Sequence, residues 1–144
     1  MPSTLKPMSL HGAVSGSVRN WLRTEGIAVV ALAVVLYAKS GRSWWIFAVL
    51  LLAPDLFMLF YLINAKVGAF GYNIVHSYFC PLTAAALMLI FDGAGLLPYV
   101  LIWVAHIGMD RSLGYGLKYE TEFARTHLGE LNSGSGRLVK HSEG

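Results

Sequence analysis

The sequence predicts an all-α integral membrane protein, a four-helix bundle with short loops and a polar C-terminal segment. Three observations lead there. Of the 144 residues, 56% are hydrophobic and 13% charged, against roughly 25% charged in soluble domains. So short a chain cannot hide that much apolar surface and needs lipid as solvent. The apolar residues gather in four runs separated by short polar stretches, and a helix needs about 20 such residues to cross hydrocarbon. The basic residues lie mostly at the ends of these runs, where they suit lipid head groups and set topology.

Residues 1–20 read as a polar N-terminal segment lying outside the bilayer or on its surface. Lys6 stands far from the first apolar run, and no small-x-small cleavage site follows promptly, so the pattern is not that of a secretory signal. Residues 21–128 form the four-span membrane domain with a C-terminal amphipathic piece, and residues 129–144 a flexible tail. The first span is Trp21–Ala38, with Arg23 and Glu25 snorkelling to the interface. After the loop Lys39–Ser43, Trp44 and Trp45 open the second span as an interfacial aromatic belt. That span, Trp44–Ile63, carries Pro54-Asp55 near its middle, where proline removes a donor and kinks a helix. The third, Val67–Phe91, begins with Gly68 and Gly71, small enough for close contact, and contains Pro81. The fourth, Ala94–Asp110, has Pro98 in its first turn, where proline is tolerated. Gly114-Tyr115-Gly116 reads as a turn, Glu120–Leu131 as a short amphipathic helix, and Asn132–Gly144 as disordered.

Lys and Arg crowd the N-terminal stretch, the second loop (Lys66) and the C-terminal segment, while the opposite side holds Lys39 and Arg42. The positive-inside rule then puts both termini in the cytoplasm of a multi-pass protein of a bacterial inner membrane. The net charge of +3 is a weak pointer to nucleic acid, and no nucleic-acid partner is expected; membrane lipid is, and a homo-oligomer stays open. Cys80 is the single cysteine, which excludes an internal disulfide and a cysteine-only zinc site.

Against this apolar background stand Asp55, His76, His106 and Asp110. A charged group near the bilayer centre costs a few kcal/mol or more, so such residues face a bundle interior and do something there. Asn73 and His76 are three apart and His106 and Asp110 four apart, so each pair shares a helical face. His76 lies ten residues after Lys66 and Asp55 eleven before it, which places the two at similar depth. Three helices therefore converge in the cytoplasmic half of the bundle. Each residue has a bland reading alone. A lone intramembrane histidine is usually a packing residue, Asp55 after Pro54 suits a helix N-cap, and Asp110-Arg111 suits an interfacial pair. Packing accounts for each but not for their common depth.

Two His and two Asp suit a divalent metal such as zinc or manganese. On that reading Asp55, His76, His106 and Asp110 are ligands, one carboxylate acts as base, and Asn73 and Ser77 orient ligand or substrate. The donor atoms should then lie within roughly 3–5 Å of one another.

Pro54-Asp55, Tyr72-Asn73-x-x-His76-Ser77 and His106-Ile107-Gly108-x-Asp110-Arg111-x-x-Gly114-Tyr115-Gly116-Leu117-Lys118 resemble an uncharacterised bacterial family of small integral-membrane proteins, catalogued as a domain of unknown function. The likeness spans Gly26–Leu128 and brings no activity with it. Pro54-Asp55, His76-Ser77 and His106 with Asp110 are also similar, more loosely, to LexA-regulated inner-membrane metal-dependent hydrolases. That resemblance implies the four ligands. It departs at Leu62–Lys66, where that family has a further Asp-His-Arg stretch, and this leaves a two-metal site unsupported. The expected function is metal-dependent hydrolysis of a lipid or amphipathic ester or phosphoester. The rivals are a small proton-coupled carrier, in which Asp55 and His76 titrate, and a non-catalytic structural or regulatory membrane subunit.

Overall fold

The architecture comes from a computed structural model that describes residues 14, 16–118 and 125–130. The first helix, α1 (Gly16–Lys39), starts five residues before Trp21 and is 24 residues long, about 36 Å at 1.5 Å per residue. It lies along α5 (Leu97–Leu113). The two backbones meet at Gly26 and Gly108. A Cβ on Gly26 would stand 2.7 Å from the Ser112 nitrogen and 2.8 Å from the Gly108 oxygen, so only glycine lets the helices come this close. Arg23 crosses the same seam, its Nε donating to the Ser112 carbonyl at 2.8 Å. At the far end of α1, Tyr37 is fully buried against Trp44 and Phe47, and its hydroxyl donates to the Ser43 carbonyl.

The second run is not one kinked α-helix. It divides into α2 (Trp44–Leu51) and a ten-residue 3₁₀ helix, Ala53–Leu62. Pro54 cannot donate to a carbonyl four residues back, and the Asp55 N–H bonds instead to Leu52, three residues back. A 3₁₀ helix has three residues per turn, so side chains three apart eclipse. Asp55, Met58 and Tyr61 form one half-buried row, while Leu56, Leu59 and Leu62 are exposed and suit lipid. The glycines Gly68 and Gly71 let α3 (Ala65–Val75) close on this segment, because a Cβ on either would run into the rings of Tyr61 and Phe60. Asn64 starts α3, its side chain accepting the Val67 N–H at 2.8 Å.

The third run is also broken. α3 ends at Val75, α4 runs Phe79–Ile90, and the two are bent by 43°. Pro81 lacks the N–H that would continue the ladder to Ser77, and its ring opposes that carbonyl. A break in an apolar setting frees backbone carbonyls that need new donors. Two come from α5: Trp103 Nε1 donates to the Val75 carbonyl at 2.6 Å, and Arg111 donates to the His76 carbonyl at 2.8 Å.

The described residues thus hold five α-helices rather than a plain four-helix bundle. α1 and Trp44–Leu62 are long and apolar enough to cross a membrane, and the bent α3–α4 pair makes a third if it is one span. Helix α5, with 17 residues, reaches about 25 Å, a little short of the roughly 30 Å hydrocarbon core. It ends at Gly114, whose φ of 95° closes the helix, with the Tyr115 N–H bonding to the Asp110 carbonyl. The expected amphipathic helix Glu120–Leu131 is absent where the chain is described. Arg125–Thr126 (β1) and Gly129–Glu130 (β2) pair antiparallel, and Lys118 bridges to Thr126. His127 explains the extended backbone: its N–H bonds to the Leu117 carbonyl, and its ring Nδ1 accepts the Leu117 N–H. The tail Asn132–Gly144 and most of residues 1–20, with His11 and His141, lie outside the described residues.

Candidate metal centre

The four polar residues singled out from the sequence meet at one point. Pro54 starts the 3₁₀ helix and sets Asp55 in its inward row. His76 caps the C-terminal end of α3, directly after Val75, at φ −99° and ψ 11°. His106 and Asp110 sit one turn apart on the face of α5 that is buried.

The imidazoles of His76 and His106 are wholly buried and face each other, Nε2 to Nε2, at 3.0 Å. Asp55 Oδ1 stands 3.6 Å from His76 Nε2 and 3.7 Å from His106 Nε2. Asp110 Oδ2 stands 3.5 and 3.8 Å from the same two nitrogens. Donors that share a tetrahedral ion at about 2.0–2.1 Å lie about 3.3–3.4 Å apart, so separations of 3.0–3.8 Å are close enough for these side chains to reach one ion. Asp55, His76 and His106 each offer an atom within 4.8 Å of the other two.

Local hydrogen bonds fix which atoms face the centre. His76 Nδ1 lies 2.9 Å from the Tyr72 carbonyl. A carbonyl only accepts, so Nδ1 carries the proton and Nε2 of the neutral ring presents a lone pair. This is the outer partner that a metal-binding histidine needs to hold its tautomer. The Tyr72 ring stacks on His76 with centroids 3.7 Å apart, and its hydroxyl donates to Asp110 Oδ2 at 3.2 Å. His106 Nδ1 is buried with no hydrogen-bond partner among the described residues, so the outer partner that His76 has is missing at His106.

Asn73 and Ser77 make their hydrogen bonds to backbone groups. Asn73 Nδ2 donates to the Lys118 carbonyl at 2.8 Å and its Oδ1 accepts the Lys118 N–H at 2.7 Å. This pair of bonds straps the segment after α5 onto α3. Ser77 Oγ accepts the Phe79 N–H at 3.3 Å, at the start of α4. Cys80, four residues after His76, is half-buried and stands outside the centre.

Three further residues stand at or beside the centre: Tyr72 and Lys118, which the sequence offers only within the two motifs, and Arg111, which it offers as half of an interfacial pair with Asp110. Lys118 is in fact buried, its ammonium 4.4 Å from the Tyr72 ring centroid and 5.2 Å from that of Tyr61. Burial lowers its pKa to about 8, against the pull of Asp110 and Asp55 upward. Burial likewise lowers the pKa of His127, and Arg111 adds to the effect. A cavity of about 360 Å³ opens beside the centre, reached by Asp55, Asp110 and Lys118 and walled by Met58, Met109 and Leu113. Asp55 is the open side: its side chain is 44% exposed, that of Asp110 11%.

No curated protein and no solved structure matches the chain. A family model does: it covers residues 19–131, which contain every side chain of the centre and both glycines of the α1–α5 seam, and it is described as Domain of unknown function (DUF4260). The chain belongs to that family.

Proposed function

We propose that the protein is a membrane-embedded, metal-dependent hydrolase of a lipid or amphipathic ester or phosphoester. The observation that supports this most is the donor set: two imidazole Nε2 atoms 3.0 Å apart, flanked by two carboxylates at 3.5–3.8 Å, with the tautomer of His76 fixed from outside. Asp55, His76 and His106 hold a single divalent ion, zinc or manganese. Three protein ligands with a fourth position open is the pattern of catalytic rather than structural zinc. Such an ion supplies a Lewis acid and makes water a nucleophile near neutral pH. Asp110, held by the Tyr72 hydroxyl, accepts the proton as general base or completes the ligand shell. The cavity beside Asp55 admits the substrate. Four crossings of a bacterial inner membrane would leave both termini cytoplasmic.

One observation favours a carrier instead. At 3.0 Å the two Nε2 atoms can also share a hydrogen bond, which would link the two imidazoles as a proton relay. Elemental analysis of protein purified without added metal or a histidine tag separates the two. The hydrolase requires about one divalent ion per chain, from the three-ligand pattern. A metal-free parent that moves protons in vesicles would replace it with the carrier.

A further inference from the structure

The cavity beside the centre has two kinds of wall. Met58, Met109 and Leu113 are apolar, and Leu113, at the rim, is 59% exposed. Asp55, Asp110 and Lys118 supply the charge. Lys118 does not reach this place by chance: the Asn73 side chain grips its backbone on both sides, and the Tyr72 ring lies against its ammonium. Two carboxylates and one ammonium leave the space one net negative charge when both imidazoles are neutral. A divalent ion turns that into one net positive charge. In a medium of low dielectric this reversal outweighs most other contacts available to a small ionic ligand.

We propose that the cavity binds an anionic phosphate head group on an apolar tail, and that it does so only when the centre holds its divalent ion. The inference rests on the metal-binding reading above. Lys118 is the specificity residue: its ammonium binds the phosphate oxygens as a point charge. Met58, Met109 and Leu113 receive the first carbons of the tail. A volume of about 360 Å³ is in the range of small-ligand sites, about 300–1,000 Å³. A phosphate on a short glycerol ester fits that scale, while a long acyl chain would leave past Leu113 into lipid. The same chemistry could be met by free phosphate, which lacks the tail.

The test is calorimetric titration at pH 7 of detergent-solubilised, tag-free protein, with and without zinc or manganese. The probes are dihexanoyl phosphatidic acid, inorganic phosphate and uncharged dihexanoylglycerol. The metal-loaded parent should bind phosphatidic acid at least tenfold more tightly than either of the other two, and removing the metal should abolish that binding. Lys118→Gln should weaken it at least tenfold and Lys118→Arg should restore most of it. Leu113→Asp, a rim change that spares the core, should weaken it far more than Leu113→Lys, which loses the same apolar contact but adds attraction for the phosphate; this dependence on the sign of charge is not expected of a packing role. Equal binding of free phosphate would overturn the tail half of the proposal. Metal uptake without binding of any phosphate probe, or binding indifferent to both Lys118 and Leu113 variants, would overturn it entirely while leaving the metal centre standing. A parent that takes up no metal would defeat the metal reading and this inference together.

Discussion

His106 shows how much rests on one side chain. It gives an Nε2 to the centre and leaves Nδ1 unpartnered in the core. His106→Ala should cut metal content to near zero with the helical far-UV signal unchanged, as should Asp110→Asn if that carboxylate is a ligand. Were both residues only packing, each variant would lose stability instead, about 1–3 kcal/mol for a broken buried hydrogen bond, and metal per chain would not move. Metal content and melting temperature on the same samples decide it. Tyr72→Phe is subtler. It keeps the ring on His76 but removes the donor to Asp110, and a lost outer partner should weaken metal affinity roughly 10–100-fold. Competition with a chromophoric chelator would read this directly.

Lys118 gives a pH signature at the same scale. Its folded pKa is about 8, below the usual lysine value of 10.5, because burial disfavours the charged form. Between those two values the unfolded chain holds more protons than the folded one, so stability rises with pH across that window. Below pH 8 the folded protein bears the full cost of the buried charge. The melting temperature of the parent should therefore gain more between pH 7.5 and 9.5 than that of Lys118→Met. A parallel rise in both proteins would mean the effect belongs to another group.

At the scale of elements, the break between α3 and α4 is what lets His76 turn inward, and α5 holds it open. Trp103→Phe removes the donor to the Val75 carbonyl and should cost about 1–3 kcal/mol, the penalty of a buried unsatisfied group. Metal binding should survive it, because the bond that is lost runs to the Val75 carbonyl and not to Asp55, His76, His106 or Asp110. The α1–α5 seam behaves differently. Gly26→Val places a Cβ against backbone atoms of Ser112 and Gly108, which no rotamer change can relieve. The helices must part, and His106 lies two residues from Gly108. This variant should lower both melting temperature and metal content. A Gly26→Val protein with parental values of both would show that α1 does not set the position of α5.

At the scale of the whole molecule, the outside is as informative as the centre. Trp45, Leu62 and Phe91 are among many large apolar side chains left exposed, and the two long spans bury little of themselves within the protein. Carbonate washing should leave the protein in the membrane fraction and detergent should release it. If all four runs cross, a reporter active only in the cytoplasm should work at either end. A C-terminal reporter active only outside would place the opening of the centre on the other face. It would also exclude four crossings if the N-terminus remained inside.

The sequence by itself determined the membrane class, the helical character and the residues worth asking about. Each of these follows from composition or short spacing: hydrocarbon excludes charge, so Asp55, His76, His106 and Asp110 stand out wherever the helices go. The closure at Gly114 and the tight contacts of Gly68 and Gly71 were legible for the same local reason. Only tertiary structure decided the rest. Pro54 announces a kink, but whether the chain resumes as α or as 3₁₀ depends on what α3 offers at Gly68 and Gly71. Pro81 announces a weakness, but a break is tolerated only because Trp103 and Arg111, 28 and 35 residues beyond the carbonyls they bond, supply the missing donors. Lys118 stands in the sequence as one basic residue of the C-terminal segment; Asn73, 45 residues earlier, holds its backbone, and the Tyr72 ring lies against its ammonium. Periodicity reports on a residue's own helix, whereas unsatisfied carbonyls and buried charges are settled by partners distant in the chain.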